Sequence, residues 1–321
     1  MVQFAELIDP ELLPPLEALI AFAGPGGFAA IADLDRRRQV LSDLSEAAAA
    51  ADTEDLGVTS ADEDADGVPV RVYVPNADSS APLPLILAMH GGGMVAGTIA
   101  DEEPFCRMLA AQVSAVVVSV GYRLAPEHPA PAAVEDCYRA LAWSVAGAEQ
   151  LGIDPSRTAL FGRSAGGGLA AALALMIRDR SELPSPALQM LLYPMLDDRC
   201  DTPSAQAFTD VGVWDRAPNL EAWQWYLGER YGTDDVTPYD APSRVESLAG
   251  LPPAFLDVGT VDVFRDEVVQ YAARLLAAGV PSELHVWPGV YHAAEKFAPA
   301  ATVARQMWKT RLAALRVALN G

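Results

Sequence analysis

The sequence is short of positive charge. Only 22 lysines and arginines stand against 43 aspartates and glutamates, leaving a formal charge of −21. Such a surface repels phosphate backbones and anionic headgroups, which argues against nucleic acid as a partner and leaves a small uncharged ligand open. Cysteine is scarce too: Cys106, Cys137 and Cys200 are odd in number and lack metal-ligand spacing, so they read as reduced and structural. No apolar run reaches the ~20 residues that a bilayer crossing needs. The opening stretch MVQFAELIDPELLPPLEALI has no basic residues ahead of its apolar ones and is interrupted by prolines. It reads as neither signal peptide nor membrane anchor, and a cytoplasmic protein is expected. There are only four histidines, His90, His128, His285 and His292, so base chemistry has few candidates.

Apolar residues make up 51% of the 321, enough for one large core with a small cap. Residues 4–50 read as helical pieces. Pro14 and Pro15 can open a helix carrying Leu16, Leu19 and Ile20, the cluster Gly24 to Gly27 ends it, and a second helix is predicted from Ala29 to about Leu41. Asp52 to Asp66 is an acidic lead into VPVRVYVP, whose alternation predicts a strand over Val68 to Val74. Asn76 to Pro84 is a turn-rich connector. Short apolar runs then recur at 83–89, 114–120, 158–162, 187–193, 253–259 and 282–288, with helices centred on 102–112, 132–146, 166–179 and 265–278 and a last one near Ala300 to Leu319. Runs without a polar alternate position suit strands covered on both faces. The expected fold is therefore α/β, a mostly parallel central sheet flanked by helices.

About sixty residues between Tyr193 and Pro253 break this rhythm, and they concentrate aromatic side chains at Phe208, Trp214, Trp223, Trp225, Tyr226 and Tyr231. A featureless connector of that length is unusual in a compact domain. Residues 195–245 are read as an inserted segment which, with residues 1–50, caps the C-terminal edge of the sheet. The core is then 51–194 and 246–321. Ordinary helix packing on the sheet is the alternative.

The chemistry centres on TALFGRSAGGGL, residues 158–169. A short buried strand, a serine flanked by glycines at Gly162 and Gly166, and an immediate small-residue helix form the G-x-S-x-G pattern of a nucleophile elbow at Ser164. The helix from Ala165 points free N–H groups at negative charge forming beside that serine. The strand LPLILAM runs straight into His90-Gly91-Gly92-Gly93. Three glycines there are entropically costly and make sense where backbone N–H groups must face a ligand; Gly91, Gly92, Gly93 and Ala165 are the oxyanion-hole candidates. His90, preceding the glycines in the same turn, is expected to brace the loop. His285 falls within the last strand pattern and His128 between prolines. His292, just past that strand, is the best base. Of Asp257, Asp262 and Asp266, Asp262 follows a strand end and can reach the loop of His292, and the chain order Ser164, Asp262, His292 suits this topology. Met94 after the glycines, Arg163 beside the serine and Tyr291 beside His292 are the candidate substrate contacts.

HGGG (90–93), YRLAPEHPAPAAVEDC (122–137), GRSAGGGLA (162–170), YPMLDD (193–198), DVFRDE (262–267) and PGVYHAAEKF (288–297) together resemble the hormone-sensitive-lipase-like branch of the α/β-hydrolases, over essentially the whole chain. The resemblance implies hydrolysis of small-molecule carboxylic esters. Ser164 would be the nucleophile, His292 the base and Asp262 its orienter, beside a glycine-loop oxyanion hole and under a helical cap, with neither metal nor organic cofactor. Short to medium acyl groups are the expected substrates, and a homodimer is compatible with the sequence. An amidase or peptidase using the same residues, or a non-catalytic small-ligand-binding protein (the branch includes hormone receptors), are the rival readings. The intact Ser, Asp and His disfavour the latter. Two positions depart from the family pattern: Arg163 stands where an aspartate is usual, and Gly121 where an acidic residue precedes YRLAPE. Arg163 either faces the pocket or is tied to an acid such as Glu127.

Overall fold

The structure, a computed structural model, describes residues 4–51, 55–76 and 81–321. The chain begins with helices α1 (Leu13–Ala23) and α2 (Leu34–Ala51), then strands β1 (Val58–Asp64), β2 (Pro69–Pro75) and β3 (Leu83–Met89). Next come α3 (Ile99–Val113), β4 (Val116–Val120), α4 (Ala132–Ala146), the single turn α5 (Ala148–Leu151), β5 (Ile153–Arg163), α6 (Ala165–Arg180) and β6 (Leu188–Leu192). After α7 (Pro203–Ala207) and α8 (Arg216–Leu227), the chain returns to the sheet as β7 (Ala254–Val261), α9 (Arg265–Ala277), β8 (Ser282–Tyr291), α10 (Ala294–Phe297) and α11 (Thr302–Asn320).

The eight strands lie in the order β1-β2-β4-β3-β5-β6-β7-β8. From β4 through β8 all neighbours are parallel, and only β2 runs against the rest. The most apolar strands occupy the middle: β4 is buried throughout, and β3 from its second residue on. The small-residue helix α6 buries every residue from Ala165 to Ile177, because alanine and glycine let its axis lie close against β3 and β5. This brings the ends of β3, β5, β7 and β8, and the loops that leave them, to one edge of the sheet.

Two elements differ from expectation. β1 occupies part of the acidic stretch read as a lead-in (residues 52–54 lie outside the described residues, as do 77–80 of the predicted connector). It exposes Thr59 to Asp64 and so carries no apolar alternation. It is held by pairing to β2 and by an Asp62–Arg71 ion pair, and its charge guards the sheet edge. α2 starts at Leu34, five residues later than predicted, because the Asp33 carboxylate accepts the Arg36 N–H at 2.7 Å as an N-cap would. It then runs past Leu41 to Ala51.

Candidate active site

The strand-to-helix turn between β5 and α6 holds Ser164 at φ 57° and ψ −121°, a conformation costly for any residue with a Cβ. The flanking glycines are what make it possible. A Cβ added at Gly162 would lie 2.0 Å from the Gly166 carbonyl oxygen, and one at Gly166 would lie 2.0 Å from that of Met89. The turn is fixed further by the Ser164 N–H, which donates to Leu192 at 2.9 Å, and by the Ser164 carbonyl, which accepts from Met195 at 3.0 Å.

Three side chains from three different loops meet here. The Ser164 Oγ lies 2.9 Å from His292 Nε2, and His292 Nδ1 lies 2.8 Å from Asp262 Oδ2. The second Asp262 oxygen accepts the Phe264 N–H at 2.9 Å, which fixes the carboxylate in its turn. All three residues are buried. The imidazole is clamped edge-on by Tyr193 and Phe264, with ring centroids 4.9 and 5.2 Å away. Both aromatics lie in segments that carried the family resemblance, YPMLDD and DVFRDE, yet nothing in the sequence alone marked them as packing against His292.

The other candidates for base and orienter lie elsewhere. His285 pairs with Glu283 and stacks on Trp287. Asp257 is buried in an ion pair with Arg311 at 2.8 Å. Asp266 accepts the Ser204 N–H at 2.8 Å and pairs with Arg265. His90 does brace its loop. Its ring stacks on Tyr122 at 4.0 Å, Nδ1–H donates to the Gly91 carbonyl at 2.8 Å, and burial lowers its pKa and keeps it neutral.

Gly91 and Gly92 line a small pocket that also reaches Ser164 and His292. Among the described residues, the N–H groups of Gly91 and Gly92 make no backbone hydrogen bond, and the Ala165 N–H opens α6, where no intrahelical acceptor exists. Gly93 sits deeper, where a Cβ would meet the Trp214 ring at 2.5 Å. The pocket is closed by apolar side chains from α1 and α2 (Leu19, Leu41, Leu44), by Phe28, and by Val213 and Trp214 of the segment before α8. Among the described residues no cluster of three or more His, Cys, Asp or Glu is placed to hold a metal, and no helix is long and apolar enough to cross a membrane.

Met94 and Tyr291 are not pocket residues. Met94 is 1% exposed and has a φ of +63°, which turns its side chain inward, where its Cε packs against Gly168 of α6. Tyr291 is equally buried and its hydroxyl donates to the Leu12 carbonyl at 3.4 Å, fastening the start of α1. Arg163 does border the pocket, but it is tied to an acid, and the acid is Glu102, sixty-one residues away, at 3.0 Å (Nε) and 2.5 Å (Nη2). Glu127 pairs with Arg38 instead. The guanidinium also lies 3.8 Å over the Phe105 ring. Burial alone would depress the Arg163 pKa; the field of Glu102 outweighs it, and the pKa is raised. At Gly121 a Cβ would lie 3.0 Å from Ile99 Cδ1 and from the Pro69 carbonyl oxygen, a tight fit for the usual acidic side chain.

Both partners of the Arg163–Glu102 pair are 5% exposed or less. Glu102→Gln leaves a buried cation without its anion, and a loss of about 3–5 kcal/mol in unfolding free energy is expected. Urea denaturation of the variant against wild type measures it; a loss below about 1 kcal/mol would mean that water reaches the guanidinium.

A family model described as alpha/beta hydrolase fold matches residues 86–296. The chain belongs to the α/β-hydrolase family, as an esterase of its hormone-sensitive-lipase-like branch. Its similarity to the esterase LipI of Mycobacterium tuberculosis is 36% identity, covering 98% of this chain and 96% of that one. It is 37% identical to an ethyl acetate hydrolase of Pseudomonas putida over 74% of each chain. A solved bacterial heroin esterase superimposes with a TM-score of 0.91 at 40% identity, covering 99% of both chains.

Proposed function

We propose that this esterase works through an acyl-enzyme on Ser164. His292 Nε2 removes the Ser164 proton as Oγ attacks the ester carbonyl, and the charge that builds on the carbonyl oxygen is met by the N–H groups of Gly91, Gly92 and Ala165. Collapse of the tetrahedral intermediate expels the alcohol, which receives its proton from His292. Water, activated by the same imidazole, attacks the acyl-enzyme and releases the acid. Asp262 keeps Nδ1 protonated and stabilises the imidazolium. The observation that carries this reading is the Ser164–His292–Asp262 chain at 2.9 and 2.8 Å facing a pocket bordered by unengaged backbone donors. Gly93, expected among the donors, is assigned instead to packing under Trp214.

In this reading residues 195–245 and the N-terminal helices are the cap, and the enzyme works in the cytoplasm, in keeping with three buried free thiols. Substrates are esters with short to medium acyl groups. A pocket roofed by Leu19, Phe28 and Trp214 desolvates a compact chain, and the ethyl acetate hydrolase relative, by its name, acts on a two-carbon acyl group. A p-nitrophenyl ester series from acetyl to palmitoyl tests it. kcat/KM is expected to rise by up to about fourfold per accommodated methylene, ~0.8 kcal/mol, and to fall sharply once the pocket is full. A maximum at about twelve carbons or beyond, past what those methylenes can fill, would contradict the short-to-medium assignment.

A further inference from the structure

Four charged side chains line the pocket beside Ser164: Asp101, Glu102, Arg163 and Lys296. Three of them are already engaged. Arg163 and Glu102 hold one another. Asp101 accepts from the Thr98 N–H at 2.6 Å and hydroxyl at 3.0 Å, and from the Ser45 hydroxyl. Lys296 is different. It lies on α10, four residues past His292, and among the described residues its ammonium makes neither a hydrogen bond nor an ion pair. Burial and the charge of Arg163 lower its pKa, while Glu102, Asp101 and Glu295 oppose that from beyond ion-pair distance. His90, also near, is neutral. A donor held with three unused N–H bonds beside an apolar roof gains most when a ligand brings an anionic acceptor.

We propose that Lys296 is a specificity-determining residue that selects esters carrying a carboxylate, which its ammonium receives while the ester carbonyl sits at Ser164. The proposal rests on the serine-esterase reading above and narrows its substrate class. The carboxylate replaces no existing partner, since the three neighbouring acids, Asp101, Glu102 and Glu295, keep their own. The flexible four-carbon stem lets the ammonium follow a carboxylate on either half of the ester.

The test compares wild type, Lys296→Met and Lys296→Arg by pH-stat on four esters. These are ethyl pentanoate (neutral), monoethyl glutarate (carboxylate on the acyl half), 4-acetoxybutanoate (carboxylate on the alcohol half) and acetylcholine (cationic). For wild type, kcat/KM for one of the two carboxylate esters is expected to exceed that for ethyl pentanoate. Lys296→Met should lower that ratio by roughly ten- to hundredfold, the size of a charge-assisted hydrogen bond, chiefly through KM, and Lys296→Arg should restore most of it. A ratio the same in wild type and Lys296→Met, or a preference for acetylcholine, overturns the proposal while leaving the esterase reading standing. Failure of wild type to hydrolyse any of the four overturns both.

Discussion

Ser164→Ala is expected to lower ester turnover by roughly a millionfold, the loss seen where a nucleophile acts as one unit with its base, in a protein that still folds. The change removes only Oγ, the atom 2.9 Å from His292 Nε2. The hydrogen bonds that shape the elbow run through the Ser164 backbone, to Leu192 and from Met195 and Gly168, and survive the substitution. The packing of Gly162 against Gly166 is untouched as well. Circular dichroism and urea denaturation should therefore match wild type while release of p-nitrophenol stops. A folded variant with wild-type turnover would remove Ser164 from the reaction.

His292→Ala should lower kcat by a similar order, whereas His285→Ala should leave it within about twofold, since His285 stands at the far edge of the sheet against Glu283 and Trp287. Asp262→Asn belongs to the same experiment. The amide can still occupy the site, but it favours the wrong imidazole tautomer and no longer stabilises the imidazolium, so a fall of about 10⁴ is expected. Equal losses for the two histidine variants in folded protein would contradict the assignment of the base.

The architecture was legible because the middle strands are largely apolar and the turn signals between them are strong. β1 was not. VTSADED carries no alternation, and its place at the sheet edge depends on backbone pairing and on Arg71, contacts that no local window contains. The reacting side chains could be picked out because each follows a strand end, where this topology gathers its loops. The pocket wall was much less legible. Met94 and Tyr291 are neighbours of site residues in sequence, but a positive φ sends the one into the core and the alternation of β8 sends the other toward Leu12. Arg163 found its acid on α3, which sequence distance conceals. Lys296 was concealed as well: α10 begins only at Ala294, after Ala293 in the left-handed region, so no helical spacing links Lys296 to His292.

The central claim is that Ser164 forms the acyl-enzyme, and covalent trapping addresses it most directly. The native protein is treated with an alkyl fluorophosphonate, digested and mapped by mass spectrometry. One phosphonyl adduct per chain is predicted, on the peptide carrying Ser164, with loss of activity in step with labelling and no adduct in Ser164→Ala. Stoichiometric labelling at another residue, with activity lost in step, would contradict the account.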